Sequence, residues 1–356
     1  MRKLASVQRI TELTPIEGKD RIVLASVLGW RVIVNKEDYQ PGDLCVYVEV
    51  DSQLPEKPEF EFLKKCNYRI KTMKMAGVIS QGICFPLSIL PERGTPYEED
   101  EDVTSLLGIV KYDPYLQEEP QQPVQPKKKS WLMRFKWYRK FFAKHRSNKS
   151  GFPDFISKTD ETRIQSAPWY LNDNRNSYVA TEKVDGTSGT WALKRHKRFL
   201  LPDRFEFIVC SRNMRLQKDA SIYWQVAEKY NIETVLRNLI GRSDFVAIQG
   251  ECIGPKIQGN KYRVASPHMY VFNVIYPSGR MGSVQARNLI GTRGLNFVPI
   301  VNAHYYLPQT VEEVLKYAHG QSALADTLRE GLVVRSQDGK QSFKAVDPEF
   351  LLKYHE

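Results

Sequence analysis

The amino-acid sequence predicts an α+β chain of two domains, in which a small all-β barrel precedes a domain that mixes strands with helices. Three observations lead to this fold class. Residues 1–97 consist of short β-branched and aromatic runs that glycine and proline interrupt. Residues 98–149 change abruptly in composition, and residues 150–356 alternate strand patterns with amphipathic helices. The 356 residues are enough for two separate hydrophobic cores.

The N-terminal domain is predicted from three strand-like runs that turn residues separate. These runs are Arg21–Val27, Trp30–Val34 and Leu44–Val50. Short strands at this spacing favour a small barrel, and an oligonucleotide-binding (OB) barrel is the natural candidate if the chain handles nucleic acid. Its candidate binding edge is segment 67–74, where Arg69, Lys71 and Lys74 are interleaved with apolar residues and could follow a phosphate backbone. A charged face in solvent explains each of these residues equally well.

Segment 98–149 is predicted to be a linker that contains a basic insert. An acidic cluster at 98–102 and a proline- and glutamine-rich stretch at 118–126 have the composition of linkers. Between Lys127 and Lys149 lie ten Lys or Arg residues and no Asp or Glu, so the insert carries most of the net charge of +11. A polyanionic partner is therefore indicated mainly for this segment.

The basic insert also has a regular aromatic pattern. Trp131, Phe135, Tyr138 and Phe142 are spaced by four, three and four residues, which puts them on one face of a helix. An RNA-docking helix, a membrane-surface helix and a targeting or partner-binding segment all fit this pattern. We favour RNA because the rest of the chain points to nucleic acid. The candidate RNA contacts in the insert are Arg134, Lys136, Arg139 and Lys140.

The C-terminal region, 150–356, has the patterns of an α+β domain. Its predicted strands are Arg204–Cys210, Phe245–Gly250, Tyr270–Ile275 and Leu332–Arg335. The segment Thr310–Glu313 has the pattern of a capping box and predicts a helix that ends near Gly320. Helical stretches before Gly241 are marked by apolar residues at Ile222, Val226, Val235 and Leu239.

One lysine at a strand end is the strongest candidate for chemistry. The apolar run Tyr178–Ala180 predicts a buried strand, which brings Lys183 to a turn closed by Asp185 and Gly186. A lysine held there can lose its proton and attack phosphorus, which gives a lysine–nucleotide phosphoramidate. The glycine allows backbone to approach a nucleotide closely. Alone, Lys-x-Asp-Gly is a common pattern, and a surface turn with a solvated lysine also explains it.

Further along, the predicted strands begin or end in residues that phosphoryl transfer requires. Glu251 follows Gly250, Glu330 precedes a strand, and Lys344 lies in the last apolar run. Carboxylates can hold a divalent metal, and cationic side chains can neutralise a triphosphate. Phe272 supplies a ring that can stack on a purine.

Composition argues against several other classes of protein. The five cysteines are scattered without a Cys-x-x-Cys pair, and the six histidines have no metal-ligand spacing, so neither a disulfide framework nor a zinc site is indicated. No apolar stretch is long enough to span a bilayer, and the first residues lack the apolar block of a secretory signal. We therefore expect an intracellular, cytoplasmic protein whose oligomeric state the sequence does not indicate.

Several motifs follow one another in a characteristic order. They are Lys183-x-Asp-Gly, Ser211-Arg-Asn, Gly250-Glu, Tyr270-Val-Phe-Asn, Glu330-Gly-Leu-Val-Val and Phe343-Lys. This ordered set resembles the covalent nucleotidyltransferases, which include polynucleotide ligases and mRNA capping enzymes. Segment 155–165 and the motif Gly254-Pro-x-Ile-Gln-x-Asn-x-Tyr narrow the resemblance to ATP-dependent RNA ligases. The motifs Gly29-Trp-x-Val-x-Val, Gly42-Asp-Leu and Ser80-Gln-Gly-x-Cys-Phe-Pro resemble the subfamily whose OB domain precedes the transferase domain.

The resemblance implies an OB domain at 1–97, an ATP-grasp-like adenylyltransferase domain at 150–356, and a reaction in three steps. Lys183 would attack the α-phosphate of ATP and release pyrophosphate. AMP would then pass to an RNA 5′-phosphate, and a 3′-hydroxyl would displace it to seal the strand. The expected substrate is RNA or an RNA-containing duplex, in particular a nick bridged by a complementary strand.

The resemblance also implies roles for the residues around Lys183. Glu251 and Glu330 would contact adenosine and coordinate Mg²⁺ or Mn²⁺, and Phe272 would stack on adenine. The remaining expected nucleotide contacts are Glu182, Asp185, Gly186, Arg212 and Lys344. Relatives often have two lysines two residues apart in the last motif, whereas Ser342 stands two before Lys344 here. The second phosphate-contacting lysine is therefore unassigned, and Lys340 is a candidate.

Two other functions remain open at this point. A GTP-dependent capping enzyme would use the same lysine chemistry, but family capping enzymes place the OB domain after the transferase domain. A non-catalytic RNA-binding protein could retain the fold of a decayed transferase. Against that interpretation, Lys183, Glu251 and Glu330 are all present.

Overall fold

The structure is a computed structural model that describes residues 3–112, 151–173 and 175–354. The basic insert and its candidate RNA contacts, Arg134, Lys136, Arg139 and Lys140, lie outside the described residues. The predictions for the insert therefore stay predictions. None of the helices in the described ranges is both long and apolar enough to cross a membrane.

The N-terminal part folds as an antiparallel β-barrel that is nearly closed. Its strands are β1 Ala5–Pro15, β2 Ile22–Val27, β3 Trp30–Asn35, β4 Leu44–Val48, β5 Ser52–Gln53, β6 Thr72–Met75, β7 Val78–Gln81, β8 Ile83–Phe85 and β9 Val110–Lys111. The main sheet has the order β3-β2-β1-β4-β8, and β5–β9 and β6–β7 form two further pairs. The three predicted runs correspond to β2, β3 and β4, so the all-β prediction is confirmed.

The core of the barrel draws on residues beyond the predicted end of the domain. A short helix, α1 (Thr104–Leu107), follows the acidic cluster at 98–102. Val103, Leu107 and Ile109 are buried in the same apolar cluster as Val7. The acidic cluster also contacts β1, because backbone hydrogen bonds join Val7 to residues 100 and 101. The first residues of the predicted linker thus pack on the barrel, while the boundaries at 97 and 150 stay predictions.

The C-terminal part contains two antiparallel sheets and the remaining helices. Its strands are β10 Ser177–Glu182, β11 Thr187–His196, β12 Arg204–Cys210, β13 Arg215–Leu216, β14 Phe245–Ile253, β15 His268–Tyr276, β16 Gly279–Arg280, β17 Ile300–Tyr306, β18 Gly331–Ser336 and β19 Ser342–Val346. The helices are α2 Ile222–Lys229, α3 Ile232–Leu239, α4 Ser283–Gly291, α5 Val311–Ala318 and α6 Pro348–Tyr354. Short 3-10 helices cover Pro58–Cys66, Leu87–Ile89, Ile164–Ser166, Pro168–Asn172 and Gln258–Asn260. One sheet has the order β17-β10-β18-β19 and the other the order β13-β12-β11-β14-β15-β16.

Local sequence explains the helices that were predicted. At the start of α5 the Thr310 hydroxyl accepts a hydrogen bond from the Glu313 amide (3.2 Å), and the Glu313 carboxylate accepts one from the Thr310 amide (3.1 Å). This is the capping box that the sequence predicts. In α3 the residues at positions 232, 235, 236 and 239 are buried, so the helix presents one apolar face to the six-stranded sheet.

The chain passes from one sheet to the other at Lys183. Strand β10 belongs to the four-stranded sheet and β11 to the six-stranded sheet, and residues 183–186 connect them. The Lys183 amide donates to the Gly331 carbonyl (2.9 Å), which ties this connection to β18. Any side chain at Gly331 would place its β-carbon 2.1 Å from the Ala345 carbonyl oxygen, so only glycine fits. The backbone of Lys183 is thereby held in place between the two sheets.

The barrel docks on segment 163–166 of the C-terminal part through polar contacts. The Gly29 amide donates to the Gln165 carbonyl (2.9 Å), and the Trp30 indole donates to the Ser166 hydroxyl (3.2 Å). The Arg163 guanidinium, which is 3% exposed, donates to the Asp51 carboxylate (2.6 Å). These contacts direct one side of the barrel towards the opening between the two sheets.

Candidate active site

A cavity of about 620 Å³ lies between the two sheets and is walled on one side by the barrel. The C-terminal part supplies Lys183 and the connection around it. The barrel side supplies Asp51, Arg69, Lys111 and Tyr112. A cavity of this size is in the range of small-molecule sites, so it can accommodate a nucleotide.

Lys183 lies in this cavity against two carboxylates. Its amine donates to the Glu330 carboxylate at 2.6 Å, and its side chain is 25% exposed. Burial opposes the charge on the amine, but the carboxylates of Glu330 and Glu251 outweigh burial and raise the pKa of Lys183 above its ordinary value. The lysine is therefore held as an ammonium until something neutralises these carboxylates.

Glu251, the second of these carboxylates, is half-buried in the wall of the cavity. It accepts a hydrogen bond from the Ser188 hydroxyl (2.9 Å) on the neighbouring strand β11. Burial raises the pKa of Glu251 to about 7, although Lys183 and the Ser188 hydroxyl act in the opposite direction. A carboxyl of this kind can exchange its proton for a cation near neutral pH.

The carboxylates fit a hard divalent cation that keeps most of its waters. Among the described residues there is no cluster of three or more His, Cys, Asp or Glu side chains that could hold a metal. Mg²⁺ is usually bound by one or two carboxylates together with substrate phosphates, and it does not need an all-protein cage. Glu251 and Glu330, whose charges both act on Lys183, would supply such a pair.

A buried ion pair fixes the turn after Lys183. The Asp185 carboxylate, 6% exposed, is bonded by the Lys261 amine, 11% exposed, and the Asp185 amide donates to the Tyr262 hydroxyl at 2.8 Å. The Lys261 amine also lies 5.3 Å and 5.2 Å from the ring centres of Phe350 and Tyr354 in α6. Asp185 was predicted to contact the nucleotide, and here its carboxylate is directed to Lys261. This arrangement positions the backbone that carries Lys183.

Gly186 is required by the close approach of β14. A β-carbon at this position would lie 2.3 Å from the Cys252 carbonyl oxygen and 3.0 Å from a Glu251 side-chain carbon. The predicted role was a close approach of backbone to a nucleotide. The measured approach is to the strand that bears Glu251, so the glycine keeps Lys183 and Glu251 together.

The Asp160 carboxylate contacts cationic side chains from three separate parts of the chain. Its carboxylate lies 2.5 Å from the Lys111 amine, 3.2 Å from the Lys344 amine and 3.8 Å from the Arg212 guanidinium. Burial alone would raise the pKa of Asp160, but the charges of Lys344, Lys111 and Arg212 outweigh it and hold the pKa well below its ordinary value. Three positive charges for one negative charge leave an excess of two, which suits a polyphosphate.

Phe272 lines the same cavity. It is half-buried on β15 and packs in an apolar cluster with Val184 and Val298. The guanidinium of Arg335 lies 5.9 Å from the centre of its ring. A flat ring on an apolar wall of the cavity can stack on a purine.

A network of charged residues around Glu161 forms another part of the cavity wall. The Glu161 carboxylate accepts hydrogen bonds from Ser342 (2.5 Å), Arg280 (3.0 Å) and Arg335 (3.2 Å). Burial alone would raise the pKa of Glu161, but the charges of Arg335 and Arg280 outweigh it and lower that pKa. Ser342, at the position where relatives often have a lysine, therefore serves this network.

Comparisons with known proteins agree with this geometry. An OB-fold domain model matches residues 4–87, and an RNA ligase model matches residues 176–355, which is just over half of the chain. The chain belongs to the RNA ligase family. A search of curated protein sequences gives no match.

Solved structures similar to this RNA ligase include those of Naegleria gruberi RNA ligase. A mutant with AMP and Mn is 29% identical, with a TM-score of 0.80 over 99% of both chains. The enzyme with PPi is 29% identical, with a TM-score of 0.81 over 100% of this chain and 99% of that chain. A mutant with ATP and Mn is also 29% identical, with a TM-score of 0.80 over 99% of both chains.

The Glu182 carboxylate of this RNA ligase is hydrogen-bonded to the loop that contains Ser322 and Ala323. One carboxylate oxygen accepts from the Ser322 hydroxyl (2.5 Å) and the other from the Ala323 amide (2.9 Å). Burial raises the pKa of Glu182, although these two hydrogen bonds act in the opposite direction. Glu182 also borders the cavity, so its expected place near adenine stays a prediction.

The candidate for the second lysine of the last motif, Lys340, lies at the surface. Lys340 is 83% exposed, is paired with Asp338 at 3.1 Å and does not line the cavity. Lys111 at the end of β9 lies beside Lys344 instead, since both amines contact Asp160. No local sequence pattern marks Lys111, because its position depends on how the barrel docks.

The structure separates the three basic residues that were predicted at the barrel edge. Arg69 lines the nucleotide cavity, with its guanidinium 3.9 Å from the centre of the Tyr112 ring and 3.9 Å from the Asp51 carboxylate. Lys74 is exposed on β6, and Lys71 precedes that strand and is half-buried. The β6–β7 hairpin lies against α6, so these lysines are near the cavity but outside it.

Sequence reasoning missed four residues of this site. Asp160 and Lys261 lie inside motifs that carry the family resemblance, and Arg335 directly follows another, so closer attention to those motifs could have found them. Lys111 has no such signal.

Proposed function

We propose that this protein joins the 3′-hydroxyl and 5′-phosphate ends of RNA with ATP, through a covalent lysyl-AMP intermediate. The observation that carries the proposal is Lys183, which enters a nucleotide-sized cavity beside two carboxylates and a cationic wall. Each part has a use in adenylyl transfer. The RNA ligase family and the AMP-, PPi- and ATP-bound structures of the similar Naegleria gruberi enzyme support the same reaction.

In the first step the Lys183 amine attacks the α-phosphorus of ATP. A nitrogen–phosphorus bond forms and the nitrogen loses a proton to water, while the bond to the bridging oxygen breaks and pyrophosphate leaves with those electrons. Phe272 holds the adenine, while Lys111, Lys344 and Arg212 exchange Asp160 for the phosphate oxygens and neutralise the leaving group.

The carboxylates determine when the lysine can react. Glu330 and Glu251 hold Lys183 as an ammonium, which has no lone pair for attack. Mg²⁺ or Mn²⁺ bound at these carboxylates supplies positive charge that favours the neutral amine and stabilises the phosphates. Asp185 and Lys261 fix the backbone that carries Lys183, which helps to position its amine for the attack.

The RNA substrate reaches the same cavity in the later steps. We propose a nick bridged by a complementary strand, because two ends held on one template enter a shared site without a separate search. Lys74 on the β6–β7 hairpin and the adjacent Lys71 lie near the cavity and can follow a phosphate backbone. Arg69 is better placed for the nucleotide. The insert with Arg134, Lys136, Arg139 and Lys140 supplies a second proposed RNA contact.

The cysteines support the expected compartment. All five are free, and Cys66 is exposed. Free thiols persist in the reducing cytoplasm, which fits the proposed intracellular, cytoplasmic location.

The test begins with α-labelled ATP or GTP in the presence of Mg²⁺ or Mn²⁺. We expect label from ATP on the denatured wild-type protein, none on Lys183→Ala, and normal labelling of the control Lys340→Ala, which lies outside the cavity. Label from GTP would indicate a capping enzyme. Retained RNA binding without any label would indicate a non-catalytic protein.

The second part of the test uses RNA ends. Lys183→Ala is expected to seal a pre-adenylated RNA strand but to fail with ATP and a plain 5′-phosphate. Ligation by this mutant from ATP and a plain 5′-phosphate would overturn the covalent mechanism. Nicked duplexes with RNA or DNA on each side of the break, compared with single strands, test the preference for bridged ends.

A further inference from the structure

The tip of the β11–β12 hairpin exposes three consecutive large apolar side chains. Phe199 is 91% exposed, Leu200 is 88% exposed and Leu201 is 60% exposed. No other run of three consecutive large apolar residues is exposed in the part of the chain that the structure describes. Exposed apolar groups of this kind mark interaction sites more often than they mark ordinary surface.

The loop is held in a defined shape that presents these side chains outward. The Arg198 guanidinium donates to the Pro202 carbonyl at 2.9 Å, which closes the loop across the three apolar residues. Arg195 pairs with Asp203 at 3.0 Å at the base of the loop. Leu200 has a φ of +58°, in the left-handed region that leucine adopts only when its surroundings enforce it.

The surroundings of the tip are basic. Arg198, Arg204 and the neighbouring Arg242 are exposed and have no carboxylate partner among the described residues. The two nearby aspartates are already neutralised, since Asp203 pairs with Arg195 and Asp244 pairs with Lys197 at 2.8 Å. The tip is therefore apolar at its end and positively charged around its base.

The tip is remote from the active site. The pocket end of β11 is formed by Thr187 and Ser188, and the strand runs for ten residues to His196. At roughly 3.3 Å per residue, the loop lies about 30 Å from the nucleotide cavity. A partner at the tip would leave the cavity open.

We propose that this tip docks the ligase on a membrane surface that contains anionic phospholipid. Phe199, Leu200 and Leu201 enter the boundary between headgroups and acyl chains, and the arginines around them meet the lipid phosphates. A convex apolar tip fits a fluid bilayer, which closes around it, whereas a protein partner would have to offer a matching hole. The basic insert at 127–149 is not a suitable partner for the tip, because the insert and the arginines around the tip are both positively charged and repel each other.

RNA is a poorer partner for this tip than lipid. Phe199 could stack on a base, and the arginines could contact phosphates. Leu200 and Leu201 are aliphatic, however, and gain nothing from bases or phosphates. Their exposure is explained by insertion into hydrocarbon.

The test is vesicle flotation of the full chain with phosphatidylcholine vesicles, with and without phosphatidylserine. We expect wild-type protein to float with the anionic vesicles and less at high salt. The triple variant Phe199→Ser, Leu200→Ser, Leu201→Ser should lose at least about tenfold in vesicle affinity, since three buried apolar groups are removed. Its AMP labelling should be unchanged. The control Phe62→Ser removes an apolar side chain of 61% exposure from the barrel and should retain vesicle binding.

Each of four results would overturn the proposal. Wild-type protein could fail to bind anionic vesicles, or the triple variant could bind them as well as wild type. The triple variant could lose RNA affinity while keeping vesicle affinity, which would make the tip an RNA contact. A wild-type dimer that the triple variant converts to a monomer would make the tip a contact between copies of this chain.

Discussion

Replacement of Lys261 by methionine tests whether the Asp185–Lys261 pair positions the nucleophile. The substitution keeps the length of the side chain and removes its charge. It leaves the Asp185 carboxylate, 6% exposed, without the amine that neutralises it. Breaking a buried ion pair in this way costs about 3–5 kcal/mol. The contacts between Lys261 and the rings of Phe350 and Tyr354 are lost as well.

The expected effect of Lys261→Met on AMP labelling follows from the short separation of Asp185 and Lys183 along the chain. Asp185 lies two residues after Lys183. If the Asp185 carboxylate of the variant turns towards water, the backbone between the two residues shifts, and Lys183 shifts with it. A displacement of about 1 Å reduces a rate about hundredfold. We therefore expect AMP labelling of Lys261→Met to fall about hundredfold and its unfolding free energy to fall by about 3–5 kcal/mol. The measurements are single-turnover labelling with α-labelled ATP and urea denaturation.

A double mutant separates positioning from general damage. In Asp185→Asn/Lys261→Met both charges are absent, so stability should recover by about 2 kcal/mol relative to the sum of the single effects. The matched control is Lys218→Met, which breaks a pair with Glu228 whose side chains are 71% and 61% exposed. An exposed pair contributes at most about 1 kcal/mol, and labelling should not change. Additive single effects, or labelling of Lys261→Met within about twofold of wild type, would refute the reasoning.

Three further predictions concern other parts of the chain. Gly186→Ala is expected to cost about 1–3 kcal/mol in a thermal or urea melt and to abolish AMP labelling, because its β-carbon would lie 2.3 Å from the Cys252 carbonyl oxygen. Glu161→Gln should flatten the pH dependence of stability in urea: the folded pKa of Glu161 is lowered, so its contribution is complete above about pH 5 and is lost as the pH falls through the folded pKa. Deletion of 127–149 should weaken RNA binding and flatten its dependence on salt, measured by filter binding, while AMP labelling is retained.

The corresponding controls are simple. Gly94→Ala has open space around its β-carbon and should leave labelling and stability unchanged. Glu312→Gln removes an 85% exposed carboxylate and should keep the wild-type pH dependence. Normal labelling of Gly186→Ala, or a steeper pH dependence in Glu161→Gln, would contradict these predictions. Unchanged RNA affinity after the deletion, with lost membrane or partner binding, would assign the insert another surface.

Much of the fold could be predicted because its signals are local. The barrel strands β2, β3 and β4 are runs of β-branched residues between turn residues, and a strand period can be read from a few neighbours. Helix α5 begins where Thr310 and Glu313 form the capping box, since both partners lie within one turn. The same holds for the nucleophile, as Lys183 lies directly after a buried strand that its own sequence specifies.

The ion pairs of the site could not be predicted in the same way. Lys111 and Asp160 are 49 residues apart in sequence, and Lys344 and Asp160 are 184 apart. A pattern of apolar residues says which face of a strand is buried, but it does not say which distant side chain meets it. Asp185 illustrates the consequence, because its motif predicts a nucleotide contact while its carboxylate is bound by Lys261.

The sequence by itself thus determined the two folds, the order of the domains and Lys183 as the proposed nucleophile, because each depends on neighbours along the chain. Only the tertiary structure decided which ion pairs Asp185 and Asp160 form in the cavity around Lys183. The docking of the barrel through Gly29 and Asp51 brings Lys111 to the cavity, and the packing of α6 brings two aromatic rings to Lys261. These contacts depend on the relative placement of whole elements, which is fixed by buried surface and geometry that no short stretch of sequence contains.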